Sequence, residues 1–462
     1  MNAPKTDSYY ADASVEKGCC QVQPLLPGAE VPHTCPGYGR YGRHASNRRS
    51  FMKGFTAACG VGALIWLALS SAQHVLSYGT SRFWADGEAG YPAPTDGEVH
   101  ECVGSTNWTT YHDLPSWSRS YPHGAETAFT LPVDADTLYL LSRGAYQHGI
   151  VEVDQSSEAT DTVGVRVRVA YYYDGALERA TVCHVERVEN EHGVGIFTPP
   201  REPRYNQKDQ MRFEVKLTLP AGSDGALAVK NFETKMPNFD QNVGDLWETV
   251  LFDNIVLQSS NGDIHAESIT SEIGQFLSSN GGIDGHFNVG SALDLRTSNG
   301  GITSSVTLLN REGADTSKLA IHTSNGHIQS EIALVSESGT GGEFDVDTES
   351  TNGSIGLTFT DSPVDSLLNC RAQTTLGGLQ VALHSAYEGT YSVETTLGKR
   401  MVEQRQEVED PAGRGRHRQV SQDKASRGNS GSVSWVENDG SSSGTEGSVV
   451  LKTTLASARL II

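Results

Sequence analysis

A four-residue corner recurs along the C-terminal half of this chain and limits what the chain can fold into. Ser259-Ser260-Asn261-Gly262 returns as Ser278-Ser279-Asn280-Gly281, Thr297-Ser298-Asn299-Gly300, Thr323-Ser324-Asn325-Gly326 and Ser350-Thr351-Asn352-Gly353. Degenerate copies follow at Thr374-Thr375-Leu376-Gly377 and Thr395-Thr396-Leu397-Gly398, and the steps between third positions are 19, 19, 26, 27, 24 and 21 residues. Three places after each Asn stand Ile264, Ile283, Ile302, Ile328 and Ile355, with Leu379 in the degenerate copy. Apolar residues alternate before the corner (Ile255/Leu257, Leu293/Leu295, Leu319/Ile321) and after it (Phe287/Val289, Val306/Leu308, Ile332/Leu334, Leu357/Phe359, Val381/Leu383). Period-two alternation marks a strand with one buried face. Each unit reads strand, tight corner, strand, and the fold class is all-β.

Two arrangements satisfy that pattern. Asn-Gly between alternating strands is a hairpin signal, because both residues tolerate the positive φ of a type I′ turn, and stacked hairpins give an antiparallel meander. Alternatively, each unit is one coil of a β-solenoid, a β-helix-like repeat with Asn and Ile ladders along its length. Stacked coils demand the same corner at every turn and a meander does not, which favours the solenoid. The unequal steps then become bulges and loops on the opposite edge. Strands also precede the repeat: Val163, Val165, Val167, Val169 and Tyr171 alternate with Arg166 and Arg168, and Phe213, Val215, Leu217 and Leu219 alternate before Pro220.

The N-terminal part obeys different rules. From Gly54 to Ser81 there is no charged residue. Phe55 to Ala72 is apolar or small throughout, and 18 residues make roughly 27 Å of helix, near the thickness of a bilayer core. About fifty polar residues come first, so an uncleaved signal-anchor fits better than a cleaved signal peptide. Arg40, Arg43, Arg48, Arg49 and Lys53 precede the span, whereas Asp86, Glu88, Asp96, Glu98 and Glu101 outnumber Arg82 after it. That bias puts the N-terminus in the cytosol and the large C-terminal part outside the cell or in a secretory lumen. Sequons at Asn107 and Asn352 suit the same side as glycosylation candidates. Of seven cysteines only Cys102, Cys183 and Cys370 lie beyond the span, and Cys102–Cys183 is the pairing expected. The net charge is −21; residues 1–72 carry +3, so the remainder carries −24, which excludes nucleic acid as a partner.

The boundaries expected are a disordered tail at 1–53, a transmembrane helix at 54–77, a stalk at 78–125, an N-terminal β region at 126–250 and the repeat at 251–400. A charged, Gly/Ser-rich stretch at 401–432 reads as a disordered insertion before closing strands at 433–462. The run RFEVKLTLPAG at 212–222, the repeated S-S-N-G-x-I and the closing GSVVLKTTLASARLII resemble the putative-adhesin β-solenoid domains of bacterial proteins and their fungal membrane-anchored relatives. The likeness covers about 210–400 and 445–462, roughly half the chain. It implies an adhesin-like, non-catalytic module and brings no catalytic residue, cofactor or metal ligand with it.

Motifs for chemistry are absent or out of context. GxGxxG at Gly37–Gly42 has no preceding strand, and GxSxG at Gly440–Gly444 lies in low-complexity sequence without the strand and helix of a nucleophile elbow. Asp263 suggests a calcium β-roll, yet Gly282, Gly301, His327 and Ser354 take its place in the other units, so no metal is expected. Parallel β-helices also host polysaccharide lyases and glycosidases, which makes a carbohydrate-active enzyme the alternative. Asp263, Asp284, Asp294, Asp345 and Asp347 do not recur in register, as a catalytic carboxylate pair would need. The reading is a type II, single-pass membrane protein whose ectodomain is structural, or binds cell-wall glycan or a surface protein.

Overall fold

The computed structural model describes residues 91–462, apart from 105–106, 112–119, 202, 204–205, 224, 407, 426–427 and 441–446. Strands dominate them; the α-helix Asp174–Leu177 has four residues. The tail expected at 1–53 and the span expected at 54–77 lie outside the described residues. Among the described residues no helix is long and apolar enough to cross a membrane.

The repeat units pair in parallel. Ile264 lies in register with Ile283, and the line continues through Ile302, Ile328, Ile355 and Leu379, all buried. The strands flanking these corners do not pair antiparallel, as a hairpin requires; each segment pairs in parallel with its equivalent in the next unit. Ser317–Thr323 lies between Ile283–Arg296 and Glu343–Ser350 on one face. Ile302–Asn310 lies between Ile283–Arg296 and Ile328–Ser336 on the other. Each unit is thus one two-faced coil, and the corners line up along one edge. Step length is absorbed opposite: Ile264–Leu277 and Ile283–Arg296 run through from one face to the other, whereas longer units insert 311–316 and 337–342 between separate strands.

The stack continues beyond the repeat in both directions, out of chain order. Thr137–Arg143 pairs in parallel with Glu191–Phe197 on one side and Leu227–Lys235 on the other. On the second face Gln147–Gln155 lies between Met211–Leu219 and Phe239–Asp245. The 137–155 coil is therefore inserted between two later ones. At the far end, Gly447–Thr453 and Ala458–Ile461 enter between the coil of Leu367–Thr374 and Leu379–Ala382 and that of Gly389–Thr395 and Arg400–Glu403. Antiparallel strands close both ends. Glu98–Val103 and Thr181–Glu186 extend one face and His123–Pro132 and Thr162–Tyr171 the other, while His417–Ala425 and Gly428–Val436 cover the C-terminal end. Such caps occupy strand edges that an open stack would leave free to pair with another chain, although on the second face at the C-terminal end Arg400–Glu403 pairs only inward, with Ala458–Ile461.

Three expected boundaries are corrected by this pairing. No break falls between 250 and 251, because Val250–Gln258 pairs in parallel with Leu227–Lys235 and the stack runs on. The stretch 78–125, expected as a stalk, holds Glu98–Val103, Thr109–Tyr111 and the start of His123–Pro132, and a disulfide joins Cys102 to Cys183 across paired strands. Its strands are short and polar, so alternation there is too brief to read. The stretch 401–432, expected to be disordered, contains most of the C-terminal cap. Arg416, with 2% of its side chain exposed, bonds Glu388 at 3.2 Å and Asp410 at 3.0 Å. Asp410 also accepts the backbone N–H groups of Ala412, Arg414 and Arg416, and Glu388 accepts that of Trp435. Charges that look solvated in sequence are here buried and paired, the condition under which burial is tolerated.

Candidate functional site: a stacked polar edge

Each residue of the corner has a separate physical task. The first carries a hydroxyl: Thr297 Oγ1 donates to the Gly281 carbonyl of the preceding coil at 2.8 Å and accepts the Gly300 N–H at 3.2 Å. Ser278, Thr323, Ser350 and Thr374 repeat both bonds. A small hydroxyl is the side chain that donates and accepts in so tight a space. The second position supplies a carbonyl; that of Ser279 accepts the Asn299 N–H at 2.9 Å. At the five Asn-Gly corners the fourth is glycine because the coils touch there. A Cβ on Gly300 would stand 2.0 Å from the Gly281 carbonyl oxygen, and those on Gly262, Gly281, Gly326 and Gly353 would meet backbone as closely.

The positive-φ turn that a hairpin would need is not what forms at these corners. None of the corner Asn or Gly residues has positive φ. A type I′ turn joins two strands that pair with each other, whereas this corner passes the chain from one face to the other. Close approach, rather than handedness, selects the glycine.

The third position forms a continuous amide ladder on the surface. Nδ2 of Asn261 donates to Oδ1 of Asn238 at 2.7 Å, Asn280 to Asn261 at 2.7 Å, Asn299 to Asn280 at 2.7 Å, Asn325 to Asn299 at 2.6 Å and Asn352 to Asn325 at 2.5 Å. Asn238 escaped the sequence reading because its corner is Met236-Pro237-Asn238-Phe239, which lacks both hydroxyl and glycine. Beyond Asn352 the same position is held, in spatial order, by Leu376, Leu455 and Leu397, which are 47%, 48% and 75% exposed. Beneath the amides lies the Ile264-to-Leu379 line, which continues toward the N-terminal end through Gln241, a buried amide bonded to Thr234 and to the Gln258 carbonyl. Of the sequon residues, Asn352 belongs to the ladder and Asn107 lies exposed beside buried Trp108.

Most of the acidic residues stand apart; against the expectation, Asp294 and Asp347 do share a register row, two strands apart across Ala320, about 10 Å at the usual strand spacing. Asp263 accepts the Gly282 N–H at 2.7 Å, Asp284 meets His265 at 2.5 Å, and Asp294 holds Arg296 at 2.6 Å. A shallow recess of about 310 Å³ is lined by Asp345, Arg371, Glu394 and Lys452 among others. Its two carboxylates stand on strands three steps apart and four residues out of register, roughly 20 Å at the usual strand spacing and rise, beyond the roughly 5–9.5 Å of a glycosidase pair. Cys370 faces the core, where burial pushes its thiol up to about 12 and leaves it unreactive at neutral pH. The GxGxxG motif and positions 441–444 of GxSxG lie outside the described residues. One grouping that spacing alone could not reveal is a set of imidazoles, His100, His184 and His192, gathered from three strands at the N-terminal end of the stack.

Residues 275–409 match a domain of unknown function, DUF7330. No curated protein matches the chain. Among solved structures it is similar to a "putative adhesin" of Parabacteroides distasonis, at 10% identity over 73% of this chain and 96% of the other, with a TM-score of 0.30. It is also similar to a "putative adhesin" of Bacteroides fragilis, at 12% identity over 55% and 95% of the two chains, with a TM-score of 0.28. A "putative cell adhesion protein" of Clostridium sporogenes aligns at 9% identity over 73% and 99%, with a TM-score of 0.17.

Proposed function

We propose that this chain is a type II, single-pass membrane protein that displays a non-catalytic, adhesin-like β-solenoid on the far side of the membrane. Its polar corner edge is the binding surface, and its ligand is cell-wall glycan or the glycosylated surface of another protein. The observation that carries this reading is the exposed amide ladder from Asn238 to Asn352. Each interior ladder amide, from Asn261 to Asn325, commits one N–H and one lone pair to its neighbours, which leaves a second N–H and a second lone pair for sugar hydroxyls. The rows repeat at strand spacing, about 4.8 Å, close to the size of one sugar ring. The Cys102–Cys183 disulfide supports an oxidising compartment, and the basic flank at Arg40–Lys53 supports a cytosolic N-terminus.

A glycan array with residues 79–462 tests the binding half. Specific signal is expected, and Asn280→Leu with Asn299→Leu should remove it while the fold persists. Signal that survives the double substitution, or release of reducing ends from a bound polysaccharide, would overturn the reading. For the membrane half, an N-terminal tag should be protected from protease in intact cells and a tag after Ile462 cleaved.

A further inference from the structure

The antiparallel sheet that closes the N-terminal end has two differently furnished sides. On Thr181–Glu186, Cys183 and Val185 are buried in a small cluster with Tyr139 and Phe197. Alternation therefore turns His184 and Glu186 to the opposite side. Register sets His192 of Glu191–Phe197 directly opposite Glu186. On Glu98–Val103 the register shifts between Val99 and Glu101, so that His100 is the extra residue of a bulge. A bulge re-aims a side chain. This one brings His100 over the same side, its ring stacked on His184 with centroids 4.9 Å apart.

The donor atoms of His100, Glu186 and His192 all lie within 4.8 Å of one another. His100 Nε2 is 2.6 Å from Glu186 Oε2, and His192 Nε2 is 3.9 Å from Glu186 Oε1. The other ring nitrogen of His192, Nδ1, is 3.3 Å from His184 Nε2. One nitrogen facing the carboxylate and the second tied to a neighbour is how a ligating imidazole is usually held.

We propose that His100, Glu186 and His192 bind a divalent transition-metal ion of the zinc class, and that His184 is a positioning residue that orients His192. Two imidazoles and one carboxylate suit Zn2+, whereas Mg2+ and Ca2+ take oxygen donors. Tetrahedral Zn2+ with bonds of about 2.0–2.1 Å separates its donors by roughly 3.3 Å, so the His100–Glu186 contact opens by about 0.7 Å and the longer gaps close. His100 can make that move because 42% of its side chain is exposed. Three protein donors leave a fourth position for water or a donor from a partner. Together the ion and the Cys102–Cys183 bond would clamp the same strands from opposite sides, one on each side of the sheet.

The test uses the full chain, purified in detergent with its disulfide intact and stripped with a chelator. ZnCl2 is titrated by calorimetry and CoCl2 by visible absorption. One ion per chain is expected at this site, with cobalt d–d bands of nitrogen and oxygen donors. His192→Ala and Glu186→Gln should each abolish that binding, and His184→Gln should keep the stoichiometry but weaken affinity about 10–100-fold. Binding at Cys19, Cys20 and Cys35 would announce itself by thiolate-to-cobalt absorption in the near ultraviolet, and all three variants would leave it unchanged. Far-UV dichroism and free-thiol counts show that the variants are folded and oxidised; Glu186→Gln, which nearly preserves shape, answers the question if His192→Ala does not fold. Absence of saturable binding, or binding equal in wild type and Glu186→Gln, overturns the proposal.

Discussion

Replacing Gly300 with alanine isolates the physical reason for the corner. The new Cβ would sit 2.0 Å from the Gly281 carbonyl oxygen, and such contacts are essentially never closer than 3.0 Å. Both partners are backbone, so the two coils must part by about 1 Å at that corner. Parting loosens Thr297 Oγ1 to Gly281 (2.8 Å), Asn299 N–H to Ser279 (2.9 Å) and Asn299 Nδ2 to Asn280 (2.7 Å). Three bonds at about 0.5–1.5 kcal/mol each, offset by about 0.4–1 kcal/mol from a stiffer unfolded chain, leave a net loss of about 0.5–4 kcal/mol, centred on about 2 kcal/mol. Gly164→Ala is the internal control. It lies in a strand, has no positive φ, and a Cβ there meets nothing within 4 Å. That substitution should be neutral or stabilising by about 0.5 kcal/mol. Urea denaturation of residues 79–462 gives both values. If Gly300→Ala is as stable as Gly164→Ala, the coils do not touch at the corners.

Other substitutions read other layers. Ile302→Asp puts a carboxylate between Ile283 and Ile328 with no partner there; it should cost several kcal/mol, and a wild-type melt would mean Ile302 faces solvent. Asn299→Ala removes two exposed ladder bonds and should cost about 1 kcal/mol, clearly less than Gly300→Ala; the reverse order would refute the division of tasks. Cys102→Ser with Cys183→Ser opens a closure spanning 81 residues and should cost about 2–5 kcal/mol in the same assay; no change would mean that the N-terminal cap holds without it. Burial tends to raise the Asp410 carboxyl, but bonds from Arg416 and from backbone N–H groups outweigh it and hold the group well below the usual range. A depressed folded value contributes stability that is present above the ordinary carboxylate range and lost as pH falls through and below it. The C-terminal cap should therefore loosen below about pH 4, seen as new pepsin cleavage within 408–436, and Arg416→Met should move that onset upward.

What the sequence revealed followed from identity at fixed offsets. The Ile264-to-Leu379 line and the five Asn-Gly corners were legible because stacking forces equivalent residues into contact, so the same side chain returns at each coil. Corner geometry was not legible, since Asn-Gly suits both a positive-φ hairpin and a backbone-to-backbone contact, and only the pairing partner separates them. Spatial order was hidden too. Nothing in GSVVLKTTLASARLII says that it enters between the Leu376 and Leu397 coils. The buried Arg416 was missed because its partners, Glu388 and Asp410, are 28 and 6 residues away in a stretch that averages as polar. The histidine cluster draws on residues 92 positions apart and on a bulge that no periodicity reports.

The claim on which everything else rests is that each Asn-Gly corner belongs to one coil of a parallel stack. Spin labels on Asn261→Cys and Asn352→Cys in residues 79–462 measure it by pulsed dipolar spectroscopy, with Cys370 buried and Cys102–Cys183 bonded so that only the introduced thiols react. Four coil steps separate the two positions, and at roughly 4.8 Å per step the corners should lie about 19 Å apart. An antiparallel meander spends two strands on every unit and would place them near 38 Å. A distance distribution centred near 19 Å is the expected result; one centred near 38 Å would contradict the stack.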